Sequence, residues 1–339
     1  MNIKKNSTYI IAEIGINHDG KLDRAKKLIR LAKKSGVDAV KFQAFNPETM
    51  AQKISQKTDL QKKSTSQKET LYQMWNRVKF SKREFNDLRK LCKNLSLDFI
   101  CSVFDEENLK IIKNLKPAAI KIASSDINDL NLIKEAKKTK LPLIISTGMA
   151  SYNEINRVLK VAGKKNNYVL HCVSMYPAPD KKINIKRMIT LKKKFNINTG
   201  YSDHSNDKYA SMLAISLGAK VLEKHFTDNK KKIGADHNLS ADLNEMREIV
   251  NFSKKISFMK GDGVINPTNQ ELKYKKFFRK GIYALRKINK GDKFSTYNII
   301  KRRPFNTSDL AKFSYLLKKK SAINYQPLQT IKTNKKNYF

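Results

Sequence analysis

A (β/α)8 barrel of the TIM type, followed by a small C-terminal unit, is the architecture this chain predicts, and three observations predict it. Short β-branched runs alternate with amphipathic helical patterns eight times before residue 262. Residues 1–261 match the roughly 250 residues that such barrels occupy. The first run ends in Gly15-Ile16-Asn17-His18-Asp19-Gly20. That is not the glycine-rich phosphate fingerprint of the rival, an open doubly wound sheet.

Strands are expected at residues 9–14, 39–43, 98–102, 119–123, 143–146, 168–172, 199–202 and 220–223. Each is a run of strand length, apolar on both faces, as strands buried inside a parallel barrel must be. Helical spacing covers residues 23–35, 82–95, 106–115, 130–139, 152–163, 185–195 and 208–217, and a last helix is expected over 243–257. Residues 46–79 are too long for an ordinary βα connection and are rich in Gln, Lys and Ser, which reads as a lid or binding loop. The barrel is assigned residues 1–262, a polar linker with Pro267 residues 263–278, and the second unit residues 279–339. That unit shows an extended stretch at 298–303, a helical turn at 308–317 and a Lys/Asn-rich end at 330–339 expected to fray. About 60 residues bury little core alone, so it is expected to lean on a partner surface.

Composition narrows the function. Hydrophobic residues at 40% and aromatics at 9% supply a core. Mean hydropathy is −0.59, and no apolar run approaches the roughly 20 residues of a membrane helix. The opening run Tyr9-Ile10-Ile11-Ala12 is cut by Glu13 and lacks a cleavage site, so a cytoplasmic protein is expected. Three cysteines without Cys-x-x-Cys spacing read as reduced thiols. Seventy basic against 30 acidic residues give a net charge of +40. The lysines are spread over the whole chain, with no basic stripe interleaved with aromatics. This reads as a lysine-biased composition rather than a nucleic-acid binder.

Chemistry in such barrels collects at the carboxyl ends of the strands. There the sequence places Glu13, Lys41 with Gln43, Ser102, Lys121 with Ser124 and Asp126, Ser146 with Thr147, Ser174 with Tyr176, Ser202-Asp203-His204, and His225. Lys41 follows Ala39-Val40 and Lys121 follows Ala119-Ile120, both inside apolar runs. A buried lysine costs several kcal/mol unless it meets an anion, so the pair reads as an anion site. His204 and His225 close neighbouring strands, and two imidazoles suit a divalent cation whose other ligands are substrate oxygen and water. His171, inside its strand, reads as a hydrogen-bonded core residue.

Seven motifs in order carry a family resemblance. They are Ala12-Glu13-Ile14-Gly15-Ile16-Asn17-His18, Val40-Lys41-Phe42-Gln43, Ile120-Lys121-Ile122-Ala123-Ser124, Ile145-Ser146-Thr147-Gly148-Met149, His171-Cys172-Val173-Ser174-Met175-Tyr176-Pro177, Gly200-Tyr201-Ser202-Asp203-His204 and Leu222-Glu223-Lys224-His225. Together they resemble the sialic acid synthase family, which condenses phosphoenolpyruvate with N-acetylated hexoses to make sialic, legionaminic or pseudaminic acids. Residues 279–339 resemble that family's antifreeze-like (SAF, β-clip) domain, with Lys290-Gly291 and Arg303-Pro304 at matching places.

The resemblance implies a manganese ion, or magnesium or cobalt, on His204 and His225. It implies phosphoenolpyruvate contacts at Lys41, Ser102, Lys121, Ser124, Ser146 and Ser202. Sugar contacts fall on Glu13, Gln43, Tyr176, Asp236 and, from a second subunit of a domain-exchanged homodimer, Arg303. Glu13, Asp126 and Asp236 are the implied candidates for water activation. The acceptor is N-acetylmannosamine or a 2,4-diacetamido-trideoxyhexose. A related synthase acting on a phosphorylated sugar is the alternative. Two departures stand out. Val103 replaces the family's proline after Ser102, and Ser125-Asp126 replaces Gly-Glu.

Overall fold

The structure is a computed structural model that describes residues 1, 3, 7–57, 61–62, 65, 68–305 and 308–339. Part of the expected lid, residues 58–60, 63–64 and 66–67, lies outside the described residues. The chain divides into two compact units, Met1–Gly261 and Asp262–Phe339.

Unit one is a closed barrel of eight parallel strands in sequence order. They are β1 (Tyr9–Gly15), β2 (Ala39–Ala44), β3 (Asp98–Val103), β4 (Ala119–Ile122), β5 (Leu143–Ser146), β6 (Tyr168–Cys172), β7 (Asn198–Asp203) and β8 (Val221–His225). Around them run α1 (Leu22–Ser35), α4 (Lys82–Asn94), α5 (Glu106–Asn114), α6 (Leu130–Lys138), α7 (Tyr152–Ala162), α9 (Lys186–Phe195), α10 (Tyr209–Ser216) and α11 (Leu243–Met259). Three shorter helices, α2 (Pro47–Met50), α3 (Leu71–Val78) and α8 (Asp180–Ile183), lie in the connections. The helix starts follow local chemistry. Ser81 with Glu84, Ser151 with Glu154 and Asp242 with Glu245 form capping boxes, each satisfying backbone donors that the first turn leaves open.

Side chains alternate across each strand, and the barrel uses this twice. Outward residues such as Ile10, Val40 and Ile120 join the helices in the main core. Inward residues Ile11, Ala39, Ile100, Ala119, Ile144, Leu170 and Val221 form a separate apolar layer in the lower barrel. Two residues further along the strands, the inward set becomes Glu13, Lys41, Ser102, Lys121, Ser146, Cys172 and Glu223. All of them are buried. The strand period therefore puts charges directly above an apolar plug.

Unit two departs from three expectations. Its linker segment contains the helix α12 (Asn269–Phe278), started by a Thr268–Glu271 capping box that the polar composition obscured. The unit also buries a core of its own, built from Ile282, Phe294, Leu316, Tyr325 and Ile331 around the antiparallel pair β9 (Gly281–Ala284) and β10 (Ile299–Arg302). The end of the chain is not frayed. Tyr338 pairs with Ser321, and the Phe339 amide donates to the Lys320 carbonyl at 3.0 Å.

Gly200 of β7 faces the barrel interior in register with Leu170. A Cβ there would stand 2.0 Å from the Val221 carbonyl oxygen and 2.7 Å from the Leu170 side chain. Gly200→Ala is expected to cost about 1–3 kcal/mol as neighbouring strands are forced apart. Thermal unfolding checks this, at about 2–4 °C per kcal/mol for a unit of this size. An unchanged midpoint would contradict the close approach.

Candidate active site

A cavity of about 500 Å³ opens at the carboxyl ends of the strands. Its floor is the polar inward layer. Register sets the neighbours: Glu13 stands beside Lys41 on one side and His225 on the other, Ser102 beside Lys121, and Ser202 beside both Cys172 and Glu223.

Four charges interlock there. Lys41 Nζ donates to Ser102 Oγ at 2.8 Å and lies 3.0 Å from Glu13 Oε1 and 3.7 Å from Glu223 Oε1. Lys121 Nζ donates to the Ile122 carbonyl at 3.1 Å and lies 3.9 Å from Glu223 Oε1. Ser202 Oγ donates to Glu223 Oε1 at 3.0 Å, and Gln43 Nε2 donates to Glu13 Oε1 at 2.8 Å.

Burial opposes charge on all four, and the neighbours decide the outcome. It lifts the Glu13 carboxyl, which Lys41 only partly offsets. It lifts Glu223 as well, but Lys121 and Lys41 outweigh it and hold that carboxyl low. Burial lowers Lys121 on balance, with Lys41 adding repulsion, whereas Glu13 and Glu223 raise Lys41 despite its burial.

Sequence reasoning missed Glu223, the carboxylate between both lysines. It appears in the sequence beside Lys224, and spacing alone does not say which of the two enters the barrel. The strand period separates them. Glu223 points inward, while Lys224 points outward to Asp203, 3.2 Å away. Cys172 was missed too, and it lines the cavity along with Ser174, which the sequence places on the rim.

The other predicted residues are brought together, with two exceptions. Gln43, Ser102, Ser124, Ser146, Tyr176, Ser202, His204, His225 and Asp236 all line the cavity. Gly148 makes room beside Ser124, whose Oγ accepts from the Gly148 amide at 2.9 Å. A Cβ on Gly148 would lie 2.2 Å from Ser174 Oγ. Asp126 is the first exception. It ends the 3-10 turn Ser124–Asp126, accepts a hydrogen bond from Ser125 Oγ and does not line the cavity. Three residues per turn leave Ser124 and Ser125 facing the well and rotate Asp126 away. Arg303 is the second. It belongs to unit two, where its guanidinium lies 5.9 Å from the Phe278 ring centre.

Only two of the five histidines face the well. His18 stacks on Phe80 at 4.0 Å and is pushed down to about 3 by burial. His171 Nε2 bonds the Ile183 carbonyl at 2.7 Å, and His237 Nδ1 bonds Thr227 Oγ1 at 2.8 Å. His204 and His225 have ring centres 5.4 Å apart, and Tyr176 stacks on His204 at 4.1 Å. Burial works against charge on His204, but Cys172, with its Sγ 3.7 Å from Nδ1, raises it to about 9. Burial, His204 and the lysines push His225 well below its ordinary value, leaving a neutral imidazole.

Two imidazoles stand side by side here, and among the described residues no group of three or more His, Cys, Asp or Glu is gathered to hold a metal ion. His204 Nδ1 is engaged with the Val173 carbonyl at 3.0 Å, which leaves Nε2 as the ring nitrogen that would meet a cation once the ring has given up its proton. His225 Nδ1 is buried without a hydrogen-bond partner, 3.5 Å from Asp236 Oδ2. The Asp236 side chain keeps 15% exposure at the rim.

Unsatisfied polar atoms concentrate here. Nine buried side-chain atoms among the described residues lack a hydrogen-bond partner, and five of them line this cavity: Glu13 Oε2, Ser146 Oγ, Ser174 Oγ, Glu223 Oε2 and His225 Nδ1. Each such atom costs about 1–3 kcal/mol when left bare, so the cavity is built for a polar guest.

Comparison with known proteins shows the family. Residues 28–265 match the family model described as the NeuB family. The chain belongs to the NeuB family. An N,N'-diacetyllegionaminic acid synthase of Campylobacter jejuni is 35% identical over 330 residues, spanning 96% of this chain and 99% of the relative. A pseudaminic acid synthase of the same species is 33% identical over 299 residues, covering 87% of each chain. A solved NeuB-like structure, the N-acetylneuraminic acid (sialic acid) synthetase of Leptospira borgpetersenii, superposes with a TM-score of 0.71 at 32% identity, over 80% of this chain and 92% of that one.

The charge network predicts an unusual response to Glu223→Gln. Removing one member of a buried ion group leaves the lysines undercompensated, at a cost of about 3 kcal/mol. An anion in the well supplies the missing charge. The variant is expected to unfold at lower temperature than the parent in anion-poor buffer and to gain more stability from added sulfate. Thermal melts across a sulfate series check both, and an equal sulfate gain in the two proteins would count against Glu223 as the lysines' counter-ion.

Proposed function

We propose that this protein is a transferase that condenses phosphoenolpyruvate with an N-acetylated hexose and water, giving a nonulosonic acid of the sialic or legionaminic type and inorganic phosphate. The observation that carries this reading is the pair of buried lysines at the floor of a well whose rim holds two imidazoles. Membership of a family with relatives named as legionaminic, pseudaminic and sialic acid synthases supports it.

In this reading Lys41 and Lys121 take the carboxylate and phosphate of phosphoenolpyruvate, displacing their contacts with Glu13 and Glu223. Ser146 Oγ and Ser174 Oγ, both without partners, donate to its oxygens. Such fixing lowers the barrier by removing the search for geometry. The C3 carbon of phosphoenolpyruvate then bonds to the aldehyde carbon of the sugar, leaving C2 electron-poor. Water adds to C2, and the proton it releases goes to the former aldehyde oxygen. The C2–O bond to phosphate breaks as the C2 hydroxyl passes its proton to the departing phosphate, leaving the 2-keto acid. Glu13 and Asp236 are the carboxylates placed to relay that proton, since burial lifts both above the ordinary range. A divalent cation on His204 and His225, Mn²⁺ first with Mg²⁺ or Co²⁺ as alternatives, supplies Lewis-acid polarisation of the aldehyde when bound.

Unit two reads as an antifreeze-like domain, and its Arg303 as a sugar contact delivered to the partner in a domain-exchanged homodimer. The three free, buried cysteines suit a reducing compartment, and we place the reaction in the cytoplasm.

Phosphate release from phosphoenolpyruvate should require both an N-acetylated sugar and a divalent cation. Lys121→Ala is expected to raise the KM for phosphoenolpyruvate at least about tenfold, equal to about 1.4 kcal/mol, while His225→Ala abolishes turnover with the fold intact by circular dichroism. A change in the sugar KM alone would remove Lys121 from the phosphoenolpyruvate site. For the exchange, mixing Arg303→Ala chains with His225→Ala chains is expected to restore part of the activity, because one hybrid site regains both residues. Silent mixed dimers would show that Arg303 does not act in trans.

A further inference from the structure

Asp236 reaches the well from the connection after β8, which runs over residues 226–241 with no helix or strand of its own. Such a stretch has many conformations open to it. Its carboxylate nevertheless stands 3.5 Å from His225 Nδ1. Contacts from outside the stretch hold it there.

The first of them come from Asn17, a buried residue in the connection after β1. Its Nδ2 donates twice, to the Phe226 carbonyl at 3.0 Å and to Ser240 Oγ at 2.9 Å, the two ends of the later connection. Its Oδ1 is buried without a partner, so the side chain serves as a donor alone. Ser240, also fully buried, donates from Oγ to the Asp236 carbonyl at 2.6 Å. A hydroxyl carries one proton and an amide nitrogen only donates, so this relay runs in one direction, from Asn17 through Ser240 to Asp236. The Phe226 amide in turn donates to the Glu13 carbonyl at 2.8 Å. One buried frame thus carries both carboxylates of the reading above, Glu13 from β1 and Asp236 from across the barrel closure.

The residue after Asp236 is clamped as well. Arg24 of α1 donates to His237 Nε2 at 3.3 Å, and it pairs with Asp228 at 3.0 Å and with Asp19. A guanidinium cannot accept, so Nε2 accepts and Nδ1 carries the proton given to Thr227 Oγ1, 2.8 Å away. Gly234 leaves room for this ring, since a Cβ there would lie 2.5 Å from it. The peptide group joining Asp236 to His237 is planar. Fixing its carbonyl and the side chain beyond it fixes the direction in which the Asp236 side chain leaves the backbone.

We propose that Asn17 is a positioning residue: through Ser240 it holds the Asp236 carboxylate against His225 and so sets its place over the well. Asn17 does not line the cavity and touches no guest itself. The tether is a property of the fold, and only its kinetic consequence rests on the reaction proposed above.

Two variants test it, Asn17→Ala and the milder Ser240→Ala, which removes a single oxygen. In crystal structures compared with that of the parent, the Asp236 carboxylate should withdraw from His225 while Glu13, Lys41 and Lys121 keep their places. A carboxylate still in place in the variants overturns the proposal. If Asn17→Ala fails to fold by circular dichroism, Ser240→Ala decides alone.

In turnover, each variant is expected to lose about 10- to 100-fold in kcat/KM for the sugar, the scale set by misplacing a reacting group by about 1 Å. The Kd for phosphoenolpyruvate, read by calorimetry, should not move. The decisive comparison adds Ser240→Ala to Asp236→Ala. A residue that acts through Asp236 has nothing left to position there, so the second substitution should cost little more. A loss that multiplies in full marks a general structural role and overturns the proposal. If the parent releases phosphate with no sugar, the reaction falls, and the crystal comparison still decides the tether.

Discussion

Two lysines and two glutamates locked together inside a barrel, with hydrocarbon directly beneath them, are the constraint on which the rest of this site depends. No member can be removed from the interior without stranding another, because charge in a medium of low dielectric must be matched locally. Strand register does the matching. Glu13 is set beside Lys41 across β1 and β2, and Ser202 beside Glu223 across β7 and β8. The network therefore ties the first strands to the last and gives barrel closure an electrostatic component. It also means that an incoming anion competes with carboxylates already in place. Affinity becomes a difference between two strong interactions, which suits a ligand that must bind and later leave.

The surface charge and the site charge play different parts. A net +40 spread over the chain sets a positive field that draws small anions toward the molecule from a distance. That attraction is screened within about 8–10 Å at ordinary salt. The two floor lysines are buried and escape most of the screening. Recognition thus rests on two cations, and the many others contribute arrival.

Much of this was legible in the sequence because the barrel repeats one rule. An apolar residue pointing inward, one pointing outward and then a polar residue pointing inward recurs at Ala39-Val40-Lys41 and Ala119-Ile120-Lys121. The same rule hides Glu223. Adjacent Glu223 and Lys224 resemble a surface pair until the strand sends them to opposite faces, each to an ion pair of its own. Asp126 misled for the opposite reason, since a spacing that suits a strand end was interrupted by a 3-10 turn. The helix Asn269–Phe278 and the paired end at Tyr338 were obscured by lysine-rich composition. In those segments a few capping and core contacts outweigh average polarity. The small apolar cluster of Ile16, Phe45, Val78 and Ala235 was illegible for a different reason, because its members are dispersed over three connections and only the fold collects them.

The inward apolar layer of Ile11, Ile100, Ile144, Leu170 and Val221 has a consequence for traffic. It stoppers the lower barrel, so the well is closed at its floor and is entered from the carboxyl ends of the strands. Whatever rests on the floor must have entered before anything that occupies the mouth, and it cannot depart until the mouth clears. Two guests of unequal depth are then obliged to queue: the small anion first, the larger molecule above it, and the reverse sequence on the way out. The plug that completes the hydrophobic interior thereby imposes a compulsory order on binding and release, with no moving part needed to enforce it.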